Sequence, residues 1–243
     1  SAEWARLRTA RFVEQGPQQG HWSPAGALPE AWTLSYPLGE ARLRFELAPT
    51  AFKHVGLFPE QAVNWERLFQ ALHNQAPARV LNLFAYTGGA SLAAAAAGAQ
   101  VTHVDSVRQV RSWANRNREL SELAGLRWMR EDAAAFAARE RRRGRAYEAV
   151  ILDPPSHGLG RGKRWKLARD LWPLLEDVLA LLTPQRHLLI LNLYGEGAAG
   201  EEVCTWLQKT GVRGHLEHFA LGLQRQPDGE ALETGEVVML TNG

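Results

Sequence analysis

The chain has 243 residues, of which 45% are hydrophobic and 22% charged, with a formal net charge of +2. These values are those of an ordinary globular protein with room for one main core and an appendage. No apolar run approaches the ~20 residues needed to cross a bilayer, so membrane insertion is not expected. The single cysteine, Cys204, excludes an internal disulfide and a thiolate metal cluster, and no metal site is predicted. The net charge is too small to indicate nucleic-acid binding by itself.

The amino-terminal residues predict a cytoplasmic protein. Charged side chains (Glu3, Arg6 and Arg8) interrupt the first ten residues, so the continuous apolar core of a signal peptide is missing. A single cysteine agrees with a reducing compartment. Because Ser1 stands where an initiating methionine would, we expect processing or a cloning remnant, with further sequence ahead of it as an open alternative.

Residues 1–60 are predicted to form a small β-rich segment. Glycines and prolines between Glu14 and Pro37 are too dense for long helices. Alternating apolar residues predict two half-buried antiparallel strands at 32–36 and 41–47. Apolar residues at helical spacing then predict a helix at 63–72, which leads into the main domain.

Residues 61–243 are predicted to form a Rossmann-like α/β domain, because apolar runs alternate with helical stretches from Arg79 onward. We expect a seven-stranded, mostly parallel, doubly wound sheet. The predicted strands lie at 79–85, 100–105, 127–130, 147–153, 187–193, 213–221 and 236–241. The predicted helices lie at 89–97, 108–123, 133–142, 166–182 and 200–210. The turn-rich residues 226–229 predict an antiparallel hairpin for the last two strands.

A glycine-containing turn follows the first strand of this domain. Residues 84–89 read Phe-Ala-Tyr-Thr-Gly-Gly and precede an alanine-rich helix. Glycine lets a ligand approach the backbone, and the helix N-terminus favours a carboxylate or phosphate. A purely geometric role for the glycines is an equally open alternative.

Acidic residues end the next two strands. Asp105 lies ~20 residues beyond the glycine turn, where a carboxylate can accept both ribose hydroxyls of a nucleoside. Asp132 follows the third strand and could accept a hydrogen bond from an adenine amino group. For both residues the alternative is capping of the following helix, which Ser106 could also do after the second strand.

The fourth strand ends in Asp153-Pro154-Pro155-Ser156. The prolines cannot donate backbone hydrogen bonds, so they stiffen a loop whose carbonyls should stay free to accept. A rigid acceptor beside a reactive carbon suits an amino-group or ring-nitrogen nucleophile. The alternative is a simple end to the strand.

Taken together, these motifs resemble the class I S-adenosylmethionine (SAM)-dependent methyltransferases. More narrowly, they are similar to the 23S ribosomal RNA large-subunit methyltransferase I-like branch. The resemblance rests on residues 80–89 (Val-Leu-Asn-Leu-Phe-Ala-Tyr-Thr-Gly-Gly), Val104-Asp105, Asp132 and the Asp-Pro-Pro-Ser turn at 153–156. Residues 52–61 (Phe-Lys-His-Val-Gly-Leu-Phe-Pro-Glu-Gln) also resemble the element that precedes the catalytic domain in that branch. The resemblance covers residues 42–194.

The resemblance implies SAM as the cofactor and a distribution of roles. The turn would hold the methionine part, Asp105 the ribose and Asp132 the adenine, while Phe58 and Gln61 close over the site. The implied cofactor contacts are Phe58, Gln61, Phe84, Ala85, Tyr86, Thr87, Gly88, Gly89, Asp105, Ser106, Asp132, Ala133 and Asp153. The implied catalytic residues are Asp153, Pro154 and Pro155. Lys53 would meet the cofactor carboxylate or a substrate phosphate, with a plain surface lysine as the alternative.

The chain departs from the cytosine-methylating members of the family that it resembles, whose chemistry needs a cysteine nucleophile. Neither the turn directly after Asp153 nor the residues directly after Asn192 contain a cysteine, and Cys204 lies in a predicted amphipathic helix as an inert thiol. Methylation of a nitrogen is therefore favoured over methylation of cytosine carbon. Ser156 replaces the aromatic residue that often follows Asp-Pro-Pro, and Tyr194 is an alternative stacking residue.

Two basic clusters bear on the substrate. Residues 139–145 precede the fourth strand and are interpreted as a solvated face at its amino end. The predicted substrate-binding residues follow Asp-Pro-Pro or flank the cleft, and they are Lys53, Ser156, Arg161, Lys163, Arg164, Trp165 and Tyr194. A loop with its tryptophan packed back is the alternative for 161–165.

RNA, ribosomal RNA in particular, is therefore the predicted partner and substrate. A methyltransferase acting on a small molecule or protein is a second hypothesis. A non-catalytic nucleotide-binding module is a third, disfavoured because a G-x-G-x-x-G turn is absent. Neither the target nucleotide nor the oligomeric state is indicated by the sequence.

Overall fold

The computed structural model describes residues 9–16, 19–24, 26–51, 53–75, 77–159, 164–195, 197–224 and 231–243. The strands are β1 (Arg11–Gly16), β2 (Gln19–Ser23), β3 (Trp32–Leu38), β4 (Ala41–Leu47), β5 (Arg79–Leu83), β6 (Gln100–Val104), β7 (Leu126–Met129), β8 (Ala149–Leu152), β9 (His157–Leu159), β10 (Arg164–Lys166), β11 (His187–Leu193), β12 (His215–Gln224) and β13 (Ala231–Asn242). The helices are α1 (Ala62–Leu72), α2 (Gly89–Ala96), α3 (Arg108–Leu120), α4 (Ala133–Arg142), α5 (Leu167–Leu179) and α6 (Gly200–Thr210), and a 3-10 turn covers Pro59–Gln61.

The central sheet has seven strands in the order β12-β13-β11-β8-β5-β6-β7. Strands β11, β8, β5, β6 and β7 run parallel, whereas β13 is antiparallel to both its neighbours. The predicted mostly parallel α/β fold and the antiparallel pairing of the last two strands are confirmed.

Both faces of the sheet are covered, which explains why its inner strands are mostly apolar. All four residues of β8 are buried. Along β5, Val80 belongs to a core shared with α1 and α2, while Leu81 belongs to a core shared with α4, α5 and α6. Successive side chains of a strand point to opposite faces, so the sheet is doubly wound as predicted.

The amino-terminal residues form two hairpins, β1–β2 and β3–β4, both antiparallel. The alternation in β4 buries Leu43, Phe45 and Leu47 in the core shared with α1 and α2. The backbone of β4 is also held by α3, because the N–H of Glu46 donates to Asn117 Oδ1 at 2.8 Å. The division of the chain at residue 60 stays a prediction.

Several strand ends differ from the predicted bounds. Strand β5 stops at Leu83 rather than at residue 85, because Phe84 turns into the left-handed region with φ of +56°. Strands β12 and β13 are longer than predicted, since their pairing continues to Gln224 opposite Ala231. The small β9–β10 hairpin was not predicted. Among the described residues, no helix is both long and apolar enough to span a membrane.

Candidate active site at the carboxyl edge of the sheet

A cleft of about 400 Å³, including its open mouth, lies where β5, β8 and β11 end. The predicted site residues that line it are Phe58, Gln61, Phe84, Ala85, Tyr86, Thr87, Gly89 and Asp153. The lining also includes Trp65, Asn82 and Asn192, which were not predicted as site residues.

The turn at 84–89, called the cofactor loop below, has an uncommon backbone. Phe84 and Tyr86 have φ of +56° and +49°, a conformation that costs a residue with a side chain about 1–3 kcal/mol. Hydrogen bonds hold it, because Ala85 N donates to Val104 O at 3.1 Å and Gly88 N to Ala85 O at 3.1 Å. Strained backbone held this way is typical of functional sites.

Helix α2 begins directly from this loop. Gly88 precedes it with φ of +94° and offers no side-chain cap to its first N–H groups. Gly89 and Ala90, in the first turn, line the cleft. A Cβ on Gly89 would lie 2.6 Å from Trp65 Cζ2, so only glycine fits there. The result is an uncapped helix N-terminus open to an anionic group.

Asp105 lies beside the loop rather than in the lining of the cleft. Its Oδ2 accepts from the N–H of Tyr86 at 3.0 Å and its Oδ1 from the N–H of Val107 at 2.8 Å. Burial raises the pKa of Asp105, against the opposing effect of these two donors. The carboxylate does not cap α3, whose N-cap is Val107 without a side-chain bond. Ser106 is exposed.

Asp132 is the N-cap of α4, where its Oδ1 accepts from Ala135 N at 2.9 Å. This is the alternative role that the sequence left open, and it engages one of the two carboxylate oxygens. Ala133 is buried in the core shared with α4, α5 and α6. The adenine contact of these two residues stays a prediction.

Asp153 is a carboxyl group in the lining of the cleft, and its pKa is strongly shifted. Burial raises the pKa of Asp153 to about 7, a hydrogen bond from the Asn192 side chain opposes this rise, and the nearby Glu60 carboxylate adds to it. A carboxyl group that is partly ionised near neutral pH is able to accept a proton there.

The prolines after Asp153 are fixed by the β9–β10 hairpin. The carbonyl of Pro155 accepts from Trp165 Nε1 at 2.6 Å, and the carbonyl of Ser156 accepts from Leu167 N at 3.0 Å. The expectation that the carbonyls of this turn stay free is therefore wrong at Pro155 and Ser156, because Trp165 of the hairpin and Leu167 at the start of α5 supply donors. Pro154, which directly follows Asp153, is buried.

The basic segment after the turn is only partly described. Trp165 is buried, with its ring centroid 5.3 Å from that of Phe84, which favours the packed-back alternative over base stacking. Arg164 belongs to β10, and its side chain is not described. Arg161 and Lys163 lie outside the described residues. Lys53 is exposed and pairs with Glu14 of β1 at 3.2 Å.

The residues before α1 close over the cofactor loop. Thr87 Oγ1 donates to the carbonyl of Gly56 at 2.7 Å, and the Tyr86 hydroxyl lies 2.8 Å from His54 Nδ1. The ring of Phe58, 40% exposed, lies 5.2 Å from that of Tyr86. Phe58 thus lies at the mouth of the cleft, against the loop.

Three buried carboxamides, called the amide cluster below, connect α1 to β11: Gln61, Asn64 and Asn192. Asn64 Nδ2 donates to Gln61 Oε1 and to Asn192 Oδ1, both at 2.9 Å. Gln61 Nε2 also donates to the Tyr194 hydroxyl at 2.5 Å. Sequence reasoning missed Asn64 and Asn192, although Asn192 is an amide inside the otherwise apolar end of β11 and could have been noticed.

Comparison with known proteins agrees with this geometry. A family model described as S-adenosylmethionine-dependent methyltransferase matches residues 18–231. The ribosomal RNA large subunit methyltransferase K/L of Magnetococcus marinus is 33% identical over 153 residues, which are 60% of this chain and 20% of that protein. The protein of the same name from Shewanella frigidimarina is 30% identical over 61% of this chain and 21% of its own length. The chain thus spans about a fifth of these relatives.

Solved structures give a closer match over the whole chain. The SAM-dependent methyltransferase from Agrobacterium tumefaciens is 36% identical, with a TM-score of 0.90 over 100% of this chain and 80% of its own. A methyltransferase structure complexed with SAH, SMU.776, is 23% identical, with a TM-score of 0.69 over 88% of this chain and 56% of that one, and it shares the fold.

Proposed function

Because the chain belongs to the S-adenosylmethionine-dependent methyltransferases, and SAM is accordingly its cofactor, we propose that it methylates a base nitrogen of RNA, with ribosomal RNA as the substrate. The observation that carries this proposal is the position of Asp153, a carboxyl group with a pKa of about 7, in the same cleft as the cofactor loop. The ribosomal RNA enzymes among its relatives support the choice of RNA.

The residues at the cleft fit the cofactor. The uncapped N-terminus of α2 can bind a carboxylate such as that of a methionine moiety. Gly89 lies too close to Trp65 to carry a side chain, so the backbone there stays accessible to this group. Asp105 keeps lone pairs beyond its two backbone bonds, as a ribose diol requires. We assign the methionine part to residues 84–89, the ribose to Asp105 and the adenine side to Ser106, Asp132 and Ala133.

When bound, SAM supplies a methyl group on a positively charged sulfur, which leaves with the electron pair of its carbon–sulfur bond. The protein then has to orient the nucleophile, exclude water and receive one proton. In our proposal the lone pair of a base nitrogen forms the new nitrogen–carbon bond, and the proton that this nitrogen loses passes to the Asp153 carboxylate. Pro154 and Pro155 keep that carboxylate at a fixed place at the end of β8.

The substrate would enter from the side of Phe58 and Tyr194, which flank the cleft. The Tyr194 ring is held through its hydroxyl by Gln61 and is our choice for a base-stacking residue. We infer that Trp165 acts indirectly, because its indole fixes Pro155. Ser156, Arg164 and the residues 161 and 163 remain our candidates for RNA contact, and Lys53 is a weaker one because it pairs with Glu14.

The turn directly after Asp153 and the residues directly after Asn192 contain no cysteine, which supports nitrogen rather than cytosine carbon as the acceptor. We further propose that the protein acts in the cytoplasm, where its substrate would be made, and that residues 61–243 form the catalytic domain behind the 1–60 segment.

The test is transfer of labelled methyl from SAM to three substrate pools from cells in which the gene is deleted: ribosomal RNA, total protein and small metabolites. We expect label in RNA, recovered after digestion as a nitrogen-methylated nucleoside, and loss of at least 100-fold in rate for Asp153→Asn. Asp177→Asn is the matched control, because this carboxylate of α5 pairs with Arg141 at 2.9 Å, away from the cleft. Label in protein or metabolites without label in RNA would overturn the proposal.

A further inference from the structure

The amide cluster is not needed for the fold of a parallel sheet, yet it occupies buried space at the base of the cleft. Gln61 is 7% exposed, Asn64 2% and Asn192 1%. A buried carboxamide that lacks a partner destabilises the folded state, so three of them together need a reason.

The hydrogen bonds inside the cluster fix the orientation of the Asn64 and Asn192 amides. Asn64 uses its Nδ2 group for two donations, to Gln61 Oε1 and to Asn192 Oδ1, both at 2.9 Å. Asn64 Oδ1 meanwhile is buried and has no hydrogen-bond partner among the described residues. The opposite amide orientation would face two acceptor oxygens with a third, so the donations to Gln61 and Asn192 decide how Asn64 lies.

These orientations bear on Asp153. The oxygen of Asn192 accepts from Asn64, its Nδ2 group donates to Gln61 Oε1 at 3.3 Å, and the Asn192 side chain also hydrogen bonds the Asp153 carboxyl. If the Asn192 amide were reversed, its oxygen would face the carboxylate and Gln61 Oε1 and be repelled by both. Asn64 and Gln61 together therefore determine which end of Asn192 faces the cleft.

We propose that Asn64 and Asn192 are positioning residues for the methyl transfer, with Asn64 locking the Asn192 amide so that its N–H group holds the Asp153 carboxylate in place. This inference rests on the proposed function for its effect on the reaction, but the effect on Asp153 itself is independent of the substrate.

The pKa of Asp153 also depends on the charged and titratable groups around it. Glu60, in the turn before α1, is buried and raises the pKa of Asp153 by repulsion. The Tyr194 phenol, beyond the end of β11, interacts with both carboxylates, and burial raises its pKa, so it stays neutral at physiological pH. Tyr86 is also neutral, since burial raises its pKa as well. The hydrogen bond from Asn192 thus lowers the pKa of Asp153, whereas burial and the Glu60 charge raise it.

The experiment follows the Asp153 carboxyl by carbon-13 NMR, assigned from Asp153→Asn, across pH 5–9 in the full chain without substrate. A hydrogen bond to a charged group corresponds to about one pH unit or more in titration. We expect Asn192→Ala to move the Asp153 midpoint upward by about one unit. Asn192→Asp, which keeps the shape but replaces the donor by a carboxyl, should move it further. Asn64→Ala should move it in the same direction by a smaller amount.

The order of the variants separates positioning from packing. If Asn192 only fills space, the Asp153 midpoint of Asn192→Asp would equal that of the wild type and the midpoint of Asn192→Ala would differ more from it. This result would overturn the proposal. Val203→Ala, in the core of α6, controls for lost packing and should leave the midpoint unchanged while lowering the melting temperature. An unshifted midpoint in both asparagine variants, each folded by circular dichroism, would also overturn it.

The kinetic measurement connects the cluster to the reaction. With RNA, the ascending limb of kcat against pH should move upward in Asn64→Ala and Asn192→Ala by the same amount as the NMR midpoint, with little change in the KM for SAM. A wild-type enzyme that methylates no RNA would overturn the proposed function while the NMR shift stands. Active enzyme with an unshifted limb would overturn the positioning role alone.

Discussion

The backbone N–H of Tyr86 donates to the Asp105 carboxylate at 3.0 Å, which joins the cofactor loop after β5 to the end of β6. Asp105 thus supports the strained turn of Tyr86, and in our proposal its remaining lone pairs bind the ribose. Removal of its carboxylate should affect both the loop and the ligand.

We therefore expect Asp105→Ala to weaken SAM binding at least tenfold and to lower the free energy of unfolding by about 1–3 kcal/mol, because two backbone donors lose their acceptor. Isothermal titration calorimetry and thermal melts measure the two effects. Asp105→Asn keeps one acceptor oxygen and should fall between wild type and alanine. Unchanged SAM affinity in Asp105→Ala would contradict the ribose assignment.

Asp132 allows its two candidate roles to be separated by a pair of substitutions. Asp132→Ala removes the cap of α4 and should cost about 1 kcal/mol of stability. Asp132→Ser restores a capping oxygen without the carboxylate, so it should recover the stability. If the second carboxylate oxygen binds adenine, Asp132→Ser will still bind SAM more weakly than the wild type, whereas full recovery of affinity would leave only the cap.

The buried carboxyl of Asp153 should make stability depend on pH. Its pKa in the folded protein, about 7, is above the ordinary value of about 3.9, so the folded state binds this proton more tightly than the unfolded state. The resulting stability is present at low pH and is lost as pH rises through 7. Asp153→Asn should consequently be more stable than wild type at pH 8, by roughly 2 to 4 kcal/mol, and no more stable at pH 4.

Chemical denaturation of both proteins at the two pH values measures this difference. The same variant should lose methyl transfer, so gain of stability and loss of activity would occur together. Equal stability of the two proteins at pH 8 would mean that Asp153 does not titrate near neutrality.

Gly56 provides a test of the contact between the residues before α1 and the loop. Its φ is +97°, and a Cβ there would lie 2.1 Å from Trp113 Cζ2, while its carbonyl accepts from Thr87 Oγ1. Gly56→Ala should destabilise the protein by about 3 kcal/mol or more and weaken SAM binding by displacing Thr87.

Gly98→Ala is the matched control for this substitution. Gly98 has a similar φ of +88°, but no described atom lies within 4 Å of an added Cβ. The Gly98→Ala substitution should therefore cost only the backbone strain, about 1 kcal/mol of stability. The difference between the two melting temperatures isolates the steric clash, and equal losses would mean that Trp113 moves aside freely.

The sheet was predictable because its strands are short apolar runs between helical stretches, and Ala149–Leu152 is apolar at every position. The strand ends were less predictable. Residues Phe84 and Tyr86 are aromatic and would favour a strand by propensity, yet hydrogen bonds from the loop to β6 hold them in the left-handed region.

The parts of the site carried by single residues at strand ends were also predictable, as Asp105 and Asp153 are polar where apolar runs stop. The amide cluster was not, because Asn64 and Asn192 are 128 residues apart and no local pattern pairs them, although Asn192 alone could have been noticed in its apolar strand. The packed position of Trp165 likewise depends on Phe84, a partner that no local pattern indicates.

Asn117 of α3 contacts two distant parts of the chain at once. Its Oδ1 accepts from the N–H of Glu46 in β4 at 2.8 Å, and its Nδ2 donates to the carbonyl of Thr87 at 3.0 Å. One buried amide therefore clamps the amino-terminal hairpin and the cofactor loop together. Binding of a ligand that makes the loop more rigid should slow hydrogen exchange at the Glu46 amide. The exchange rate of this β-strand amide would then report ligand binding at the distant cleft.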